Sequence, residues 1–213
     1  MLLCSFLRTN RYHKMNNSIT PKQAERLQKR ISDIRRALAA EKRKFGAYDD
    51  SRGLRYLPTR YYVQLGDYRG GLTYLRWFGK NFPDDGGFPD FLFEWTVILF
   101  KSGRLKEAAQ KAFETFCTNT YLFDRFFGRP VIPVDKWEGS NLAAASFTEH
   151  FPYSSGQAEL ADFSLWLEKL TLSEGFADRS SRYVEVYKRL KAENDREARF
   201  ELLLQARQLE KGQ

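Results

Sequence analysis

Apolar residues recur at helical spacing over most of the chain, and the clearest example lies near the N-terminus. Its apolar positions follow one another at spacings of four, three and four residues: Leu27, Ile31, Ile34 and Leu38. Thr20 is a suitable N-cap with Gln23 three residues later, Pro21 suits a first helical turn, and Gly46 can end the helix. This pattern predicts an amphipathic helix over residues 20–45.

The middle of the chain, residues 54–123, contains an internal repeat. The stretch Gln64–Leu72 aligns with Lys101–Ala109, so that equivalent glycines lie 37 residues apart at Gly66 and Gly103. An apolar, aromatic stretch precedes each glycine and a helix-like stretch follows it. A helix, a short glycine-containing turn and a second helix, repeated at this period, are typical of a helical solenoid.

The repeated unit resembles the tetratricopeptide repeat (TPR). The turn glycine and the apolar or aromatic residue after it are Gly66 and Tyr68 in the first copy and Gly103 and Leu105 in the second. The large residue of the first helix is Tyr62 and then Leu99, and the small residue at the helix crossing is Gly71 and then Ala108. Pro83 matches the closing proline of the motif. The first copy departs from the motif at Pro58-Thr59, and the second lacks the closing proline. The resemblance implies an all-α fold of right-handed, TPR-like antiparallel helical hairpins, a short solenoid. A generic antiparallel helical bundle is the alternative.

The flanking segments complete a single predicted helical domain over residues 20–213, after a disordered arm at 1–19. Segments around the repeats are similar to those of poorly characterised bacterial TPR-like proteins: Gly46–Gly53, Asn119–Leu122, Phe127–Pro130 and Trp137–Asn141. Residues 124–156 form a loop-rich connector. Residues 157–212 show helical periodicity again, with a cap expected near Asp178–Ser180 and a last helix from Asn194-Asp195 to Gly212. These C-terminal helices would cap the solenoid.

Charge is concentrated in the predicted N-terminal helix. The chain has a net charge of +8, but residues 1–45 carry +9 and the remainder −1. The basic residues around the apolar stripe are Arg26, Lys29, Arg30, Arg35, Arg36, Lys42, Arg43 and Lys44. Three interpretations are open: a helix that packs on the body and solvates its charges, an electrostatic footprint for nucleic acid, acidic protein or anionic membrane, and a coiled-coil dimer.

The composition excludes several function classes. With two cysteines and two histidines in 213 residues, there is no disulfide framework and little material for a metal site, and a reducing cytoplasmic location fits. No apolar run is long enough to span a membrane. Phosphate-binding, zinc-protease and serine-hydrolase motifs are absent. A Cys117–His150 pair, the adjacent carboxylates of Asp49-Asp50 and Asp84-Asp85, and the loop around Asp135 and Trp137 are weak candidates for chemistry. We therefore predict a protein that is not an enzyme and has no cofactor, metal or catalytic residues.

The predicted binding surface is the concave groove that TPR-like helices form. By alignment its residues are Tyr56, Arg60, Gln64, Phe93, Val97 and Lys101. Aromatic rings beside Arg and Lys suit an extended peptide of acidic or aromatic character, although the C-terminal segment can instead cover the apolar residues. The predicted function is a non-enzymatic protein- or peptide-binding scaffold. The alternative is a nucleic-acid-associated protein that binds through the basic helix.

Overall fold

A computed structural model describes residues 19–48, 50 and 52–212 of the chain. Within these ranges the protein is helical and has no β-strand, which confirms the all-α prediction. Nine α-helices follow one another: α1 Pro21–Phe45, α2 Leu57–Leu65, α3 Tyr68–Asn81, α4 Pro89–Lys101, α5 Leu105–Thr118, α6 Leu122–Phe126, α7 Ala161–Thr171, α8 Glu174–Ala192 and α9 Arg196–Lys211. The predicted arm lies outside the described residues except for Ile19.

Helix α1 has the boundaries that its capping residues predict. Thr20 and Gln23 form a reciprocal capping box, and Gly46 ends the helix in the left-handed conformation at φ 72°. Ile31 and Leu38 are buried, and α1 packs against α2. The apolar stripe is therefore used within the chain, as expected for a helix that packs on the body.

Helices α2 and α3, and then α4 and α5, form two successive hairpins. Gly66 and Gly103 occupy the turns with φ of 65° and 74°, where a side chain is disfavoured. Asp67 caps α3 by accepting a hydrogen bond of 2.9 Å from the Gly70 amide. Because α4 contacts both α2 and α3, the second hairpin packs directly on the first.

Gly71 lies where α3 comes close to both α2 and α4. A Cβ atom at this position would stand 2.9 Å from Ile98 Cδ1 on α4 and 3.2 Å from Tyr62 Cβ on α2. The equivalent residue of the second hairpin, Ala108 on α5, is completely buried. Small residues are needed at both positions because larger ones would push neighbouring helices apart.

The C-terminal helices pack onto the second hairpin. Helix α7 contacts α4, and α8 and α9 form a third hairpin that packs on α5. The last helix matches its prediction, with Asp195 capping it and Gly212 ending it at φ 75°. The predicted cap near Asp178–Ser180 is wrong: α8 already begins at Glu174, after Ser173, because Phe176 is buried against Phe113 and extends the apolar face towards the N-terminus.

The connector at residues 124–156 has little regular structure beyond the end of α6 and two short 3₁₀ segments, Asn141–Ala143 and Ala145–His150. Aromatic residues from the connector nevertheless reach the core, where Phe126 and Tyr153 are buried. Among the described helices, none combines the length and the apolar character that a membrane crossing requires.

Candidate functional site

The apolar half of the predicted groove is filled by the chain itself. Phe93 and Val97 have no exposed surface. The Phe93 ring lies 4.9 Å from Phe151, 5.2 Å from Tyr153 and 5.4 Å from Phe163, measured between ring centroids. Residues 151–163, which we call the covering segment, therefore occupy this surface. The expectation that Phe93 and Val97 contact a partner is wrong, and the alternative of a covered groove holds for these two residues.

Lys101 at the end of α4 is also engaged by the covering segment. Its Nζ donates a hydrogen bond of 2.8 Å to the Glu159 carbonyl oxygen and forms an ion pair with Asp162. Burial alone would raise the pKa of Asp162, but the hydrogen bonds from Lys101 and a backbone amide outweigh it and lower that pKa. Lys101 thus fastens the start of α7 to α4 and is not available to a ligand in this arrangement.

Tyr56 and Arg60 remain at the edge of an open pocket of about 460 Å³ at the N-terminal ends of α2 and α4. Arg60 pairs with Asp90 and with Glu94, the latter at 3.1 Å. The Tyr56 hydroxyl donates to Asp85 at 2.7 Å. Two of the six predicted groove residues, Tyr56 and Arg60, therefore lie together here, but carboxylates of the same chain already bind their polar groups.

Glu94 is the residue of this region that sequence reasoning missed. It lies on α4 with its carboxyl group buried, where Oε1 accepts hydrogen bonds from the Tyr153 hydroxyl at 2.9 Å and from Arg60 Nε at 3.1 Å. Burial raises the pKa of Glu94 to about 7. The sequence does contain a signal, because Glu94 is the one carboxylate in the largely apolar run from Phe91 to Phe100. An acid in such a run is expected to be buried, and a buried acid needs hydrogen-bond partners.

The surroundings of Thr59 indicate which oxygen of Glu94 holds the proton. Thr59 Oγ1 lies 2.7 Å from the Tyr56 carbonyl oxygen and 2.6 Å from Glu94 Oε2. A carbonyl can only accept, so it takes the single hydroxyl proton of Thr59. With that proton committed, the contact of 2.6 Å to Glu94 becomes a full hydrogen bond when Oε2 carries a proton. The neutral acid satisfies all of these groups and links α2, α4 and the covering segment.

Gln64 is the groove residue that stays exposed. It borders a pocket of about 370 Å³ between the start of α1 and the covering segment, where Leu27, Val63 and Leu160 provide apolar surface. Tyr153 borders this pocket and donates its hydroxyl proton to Glu94, which borders the pocket beside Arg60. What remains of the predicted groove is therefore two separate openings.

All eight predicted anion-contact residues of α1 are exposed. The helix carries nine Lys and Arg residues against three acidic residues, and the one ion pair within its described residues joins Arg36 to Asp33. Four cations recur every seven residues and point away from the buried Ile31 and Leu38: Lys22, Lys29, Arg36 and Arg43. At a rise of 1.5 Å per residue, neighbours in this row stand about 10.5 Å apart.

One side of α1 borders the largest of the pockets described here, with a volume of about 550 Å³. We call it the α1–α3 pocket. Its wall from α1 carries Arg35 and Arg36, and its opposite wall carries the rings of Tyr48, Tyr62 and Trp77. Burial raises the pKa of Tyr62, and the nearby Arg35 guanidinium partly offsets this rise. The pocket thus combines positive charge with aromatic surface.

The weak candidates for chemistry have structural explanations. Cys117 is buried on α5, and burial raises the pKa of its thiol well above the ordinary value. Asp85 is held by Arg55 and Tyr56 and accepts a hydrogen bond from the Gly87 amide at 2.9 Å. His150 is exposed, and Asp49 lies outside the described residues. No group of three or more potential metal ligands occurs in the part of the chain that the structure covers.

Comparisons with protein-family models, with curated proteins and with solved structures gave no match to this chain.

Proposed function

We propose that this chain is a non-enzymatic, TPR-like scaffold that binds an acidic segment of a protein partner through α1 and the adjoining α1–α3 pocket. The observation that carries the proposal is the exposed, largely unneutralised positive charge of α1. The TPR-like arrangement is supported by the two hairpins with their left-handed turn glycines and by the close approach at Gly71.

The cations of α1 differ from those elsewhere in the chain in how far nearby carboxylates neutralise them. Arg55, Arg60 and Lys101 each pair with an aspartate of the chain itself, so their charge is largely cancelled locally; these partners are Asp85, Asp90 and Asp162. The α1 cations stand instead on a helix of net charge +6 that covers about 37 Å of surface. A surface of this kind attracts acidic partners and accelerates their association.

Binding of a labelled polyglutamate peptide, followed by fluorescence anisotropy at low and at physiological salt, tests the proposal. The double variant Lys29→Glu/Arg36→Glu reverses two exposed charges and should weaken binding by about tenfold or more. The double variant Lys106→Glu/Arg196→Glu is the matched control, because it reverses one exposed lysine on α5 and one exposed arginine on α9. No measurable binding, or equal losses in the two variants, would contradict the proposal.

Nucleic acid is a second candidate partner, favoured by the regular row of Lys22, Lys29, Arg36 and Arg43 on the solvent face of α1. The same assay with labelled duplex DNA tests it, because each neutralised phosphate contributes about −0.9 to the slope of log affinity against log salt. A slope of about −3 or steeper, with tighter binding of DNA than of polyglutamate at equal salt, would favour this candidate over an acidic protein.

A further inference from the structure

The α1–α3 pocket has two unlike walls, and this difference indicates what it can hold. The floor is apolar, formed by Ile31 and Leu65, and the wall from α2 and α3 is aromatic, formed by Tyr62 and Trp77. The opposite wall is the cationic flank of α1. Pockets that bind ligands have volumes of about 300–1,000 Å³, so about 550 Å³ accommodates a large side chain with its backbone.

The rim of this pocket has a positive balance. Arg35 and Arg36 line it, and Lys42 Nζ stands 5.1 Å from the centre of the Tyr48 ring beside it. The carboxylates nearby are Asp67, which caps α3, and Asp33, which pairs with Arg36, so three cations stand against two anions. A ligand that enters the pocket therefore meets aromatic surface and a rim of net positive charge.

We propose that the α1–α3 pocket binds an aromatic side chain that is flanked by carboxylates, and so anchors an acidic peptide segment in one register on α1. This inference rests on the proposed function and adds the anchor to it. An aromatic ring can stack on the partly exposed Trp77, while the neighbouring carboxylates pair with Arg35 and Arg36. Large aromatic anchors in pockets contribute most of the affinity of many interfaces, whereas charges at the rim contribute mainly to the association rate.

Fluorescence anisotropy with two labelled peptides separates the contribution of the aromatic anchor to the affinity from the contribution of the carboxylates. One is a short polyglutamate with a central phenylalanine, and the other has alanine at that position. The full chain should bind the phenylalanine peptide about tenfold more tightly, as expected when an aromatic side chain is buried. Equal affinities for the two peptides would overturn the pocket inference and leave the proposed function standing. If neither peptide binds, the proposed function itself fails.

Two neighbouring alanines of α1 provide a matched pair of variants that leave the core untouched. Ala39 lines the pocket, whereas Ala40 is exposed and lies outside its lining. Ala39→Trp should block the pocket and abolish the preference for phenylalanine, and the alanine peptide should bind as before. Ala40→Trp should retain the preference. A preference that survives in Ala39→Trp, or that disappears equally in both variants, would overturn the inference.

Discussion

Replacing Glu94 with glutamine tests whether a neutral acid joins α2, α4 and the covering segment. The glutamine carbonyl can accept from Arg60 and Tyr153 as Oε1 does, and its NH₂ group can donate to Thr59 as the protonated Oε2 does. The variant therefore reproduces the hydrogen bonds of the neutral acid without a titratable proton. We expect Glu94→Gln to fold and to lose one component of the pH dependence of stability.

The size of that component follows from the pKa. Burial raises the pKa of Glu94 from 4.5 to about 7 in the folded protein, whereas in the unfolded chain it stays near its ordinary value. Between these two values the unfolded state releases a proton that the folded state retains. The free energy of unfolding therefore decreases as the pH rises through this window, by about 3 kcal/mol in all, and this contribution is constant above pH about 7.

Urea unfolding followed by far-UV circular dichroism, at several pH values from about 4 to 8, measures this effect. The informative quantity is the free energy of unfolding of the wild type minus that of Glu94→Gln. The contributions of the other carboxylates to the pH dependence are the same in both proteins and cancel in this difference. It should fall by about 3 kcal/mol as the pH rises. Glu201→Gln, which removes an exposed carboxylate on α9, is the matched control. A flat difference for Glu94→Gln would refute the neutral buried acid.

Three further predictions concern the packing of the helices. Gly71→Ala should lower the free energy of unfolding by about 1–3 kcal/mol in a urea titration because it overpacks its contact with α4, whereas Gly79→Ala, which meets open space on the same helix, should raise it by up to about 1 kcal/mol. Phe93→Ala should cost about 3–5 kcal/mol in the same titration and leave polyglutamate binding unchanged, and a selective loss of binding would restore the groove hypothesis. In a Cys4→Ser background, the thiol of Cys117 should react with Ellman's reagent only after denaturation, and rapid reaction of the folded protein would contradict its burial.

Local signals in the sequence were enough for several helix ends, although not for the start of α8. The capping box at Thr20, the turns at Gly66 and Gly103, and the last helix up to Gly212 all occur as the sequence predicts. These features depend on interactions between residues that are close in sequence, such as a side-chain cap or a positive φ. For this reason they can be derived from a single chain.

The state of the groove could not be predicted in this way. Tyr153 lies in a loop without periodicity, and its position on Phe93 and Glu94 depends on contacts between residues about 60 positions apart. The aromatic wall of the α1–α3 pocket has the same origin, because Tyr62 and Trp77 lie on different helices and border one pocket with α1 through tertiary packing. Long-range packing of this kind leaves no local pattern in a sequence.

Hydrogen–deuterium exchange of the full chain, with and without the phenylalanine-containing polyglutamate peptide, tests the central claim most directly. We expect slower exchange on binding in peptides from α1 around Arg35 and from α3 around Trp77, and unchanged exchange in α4 around Phe93. Protection centred on α4 and the covering segment, with α1 unaffected, would show that the partner enters the predicted groove and would contradict the account.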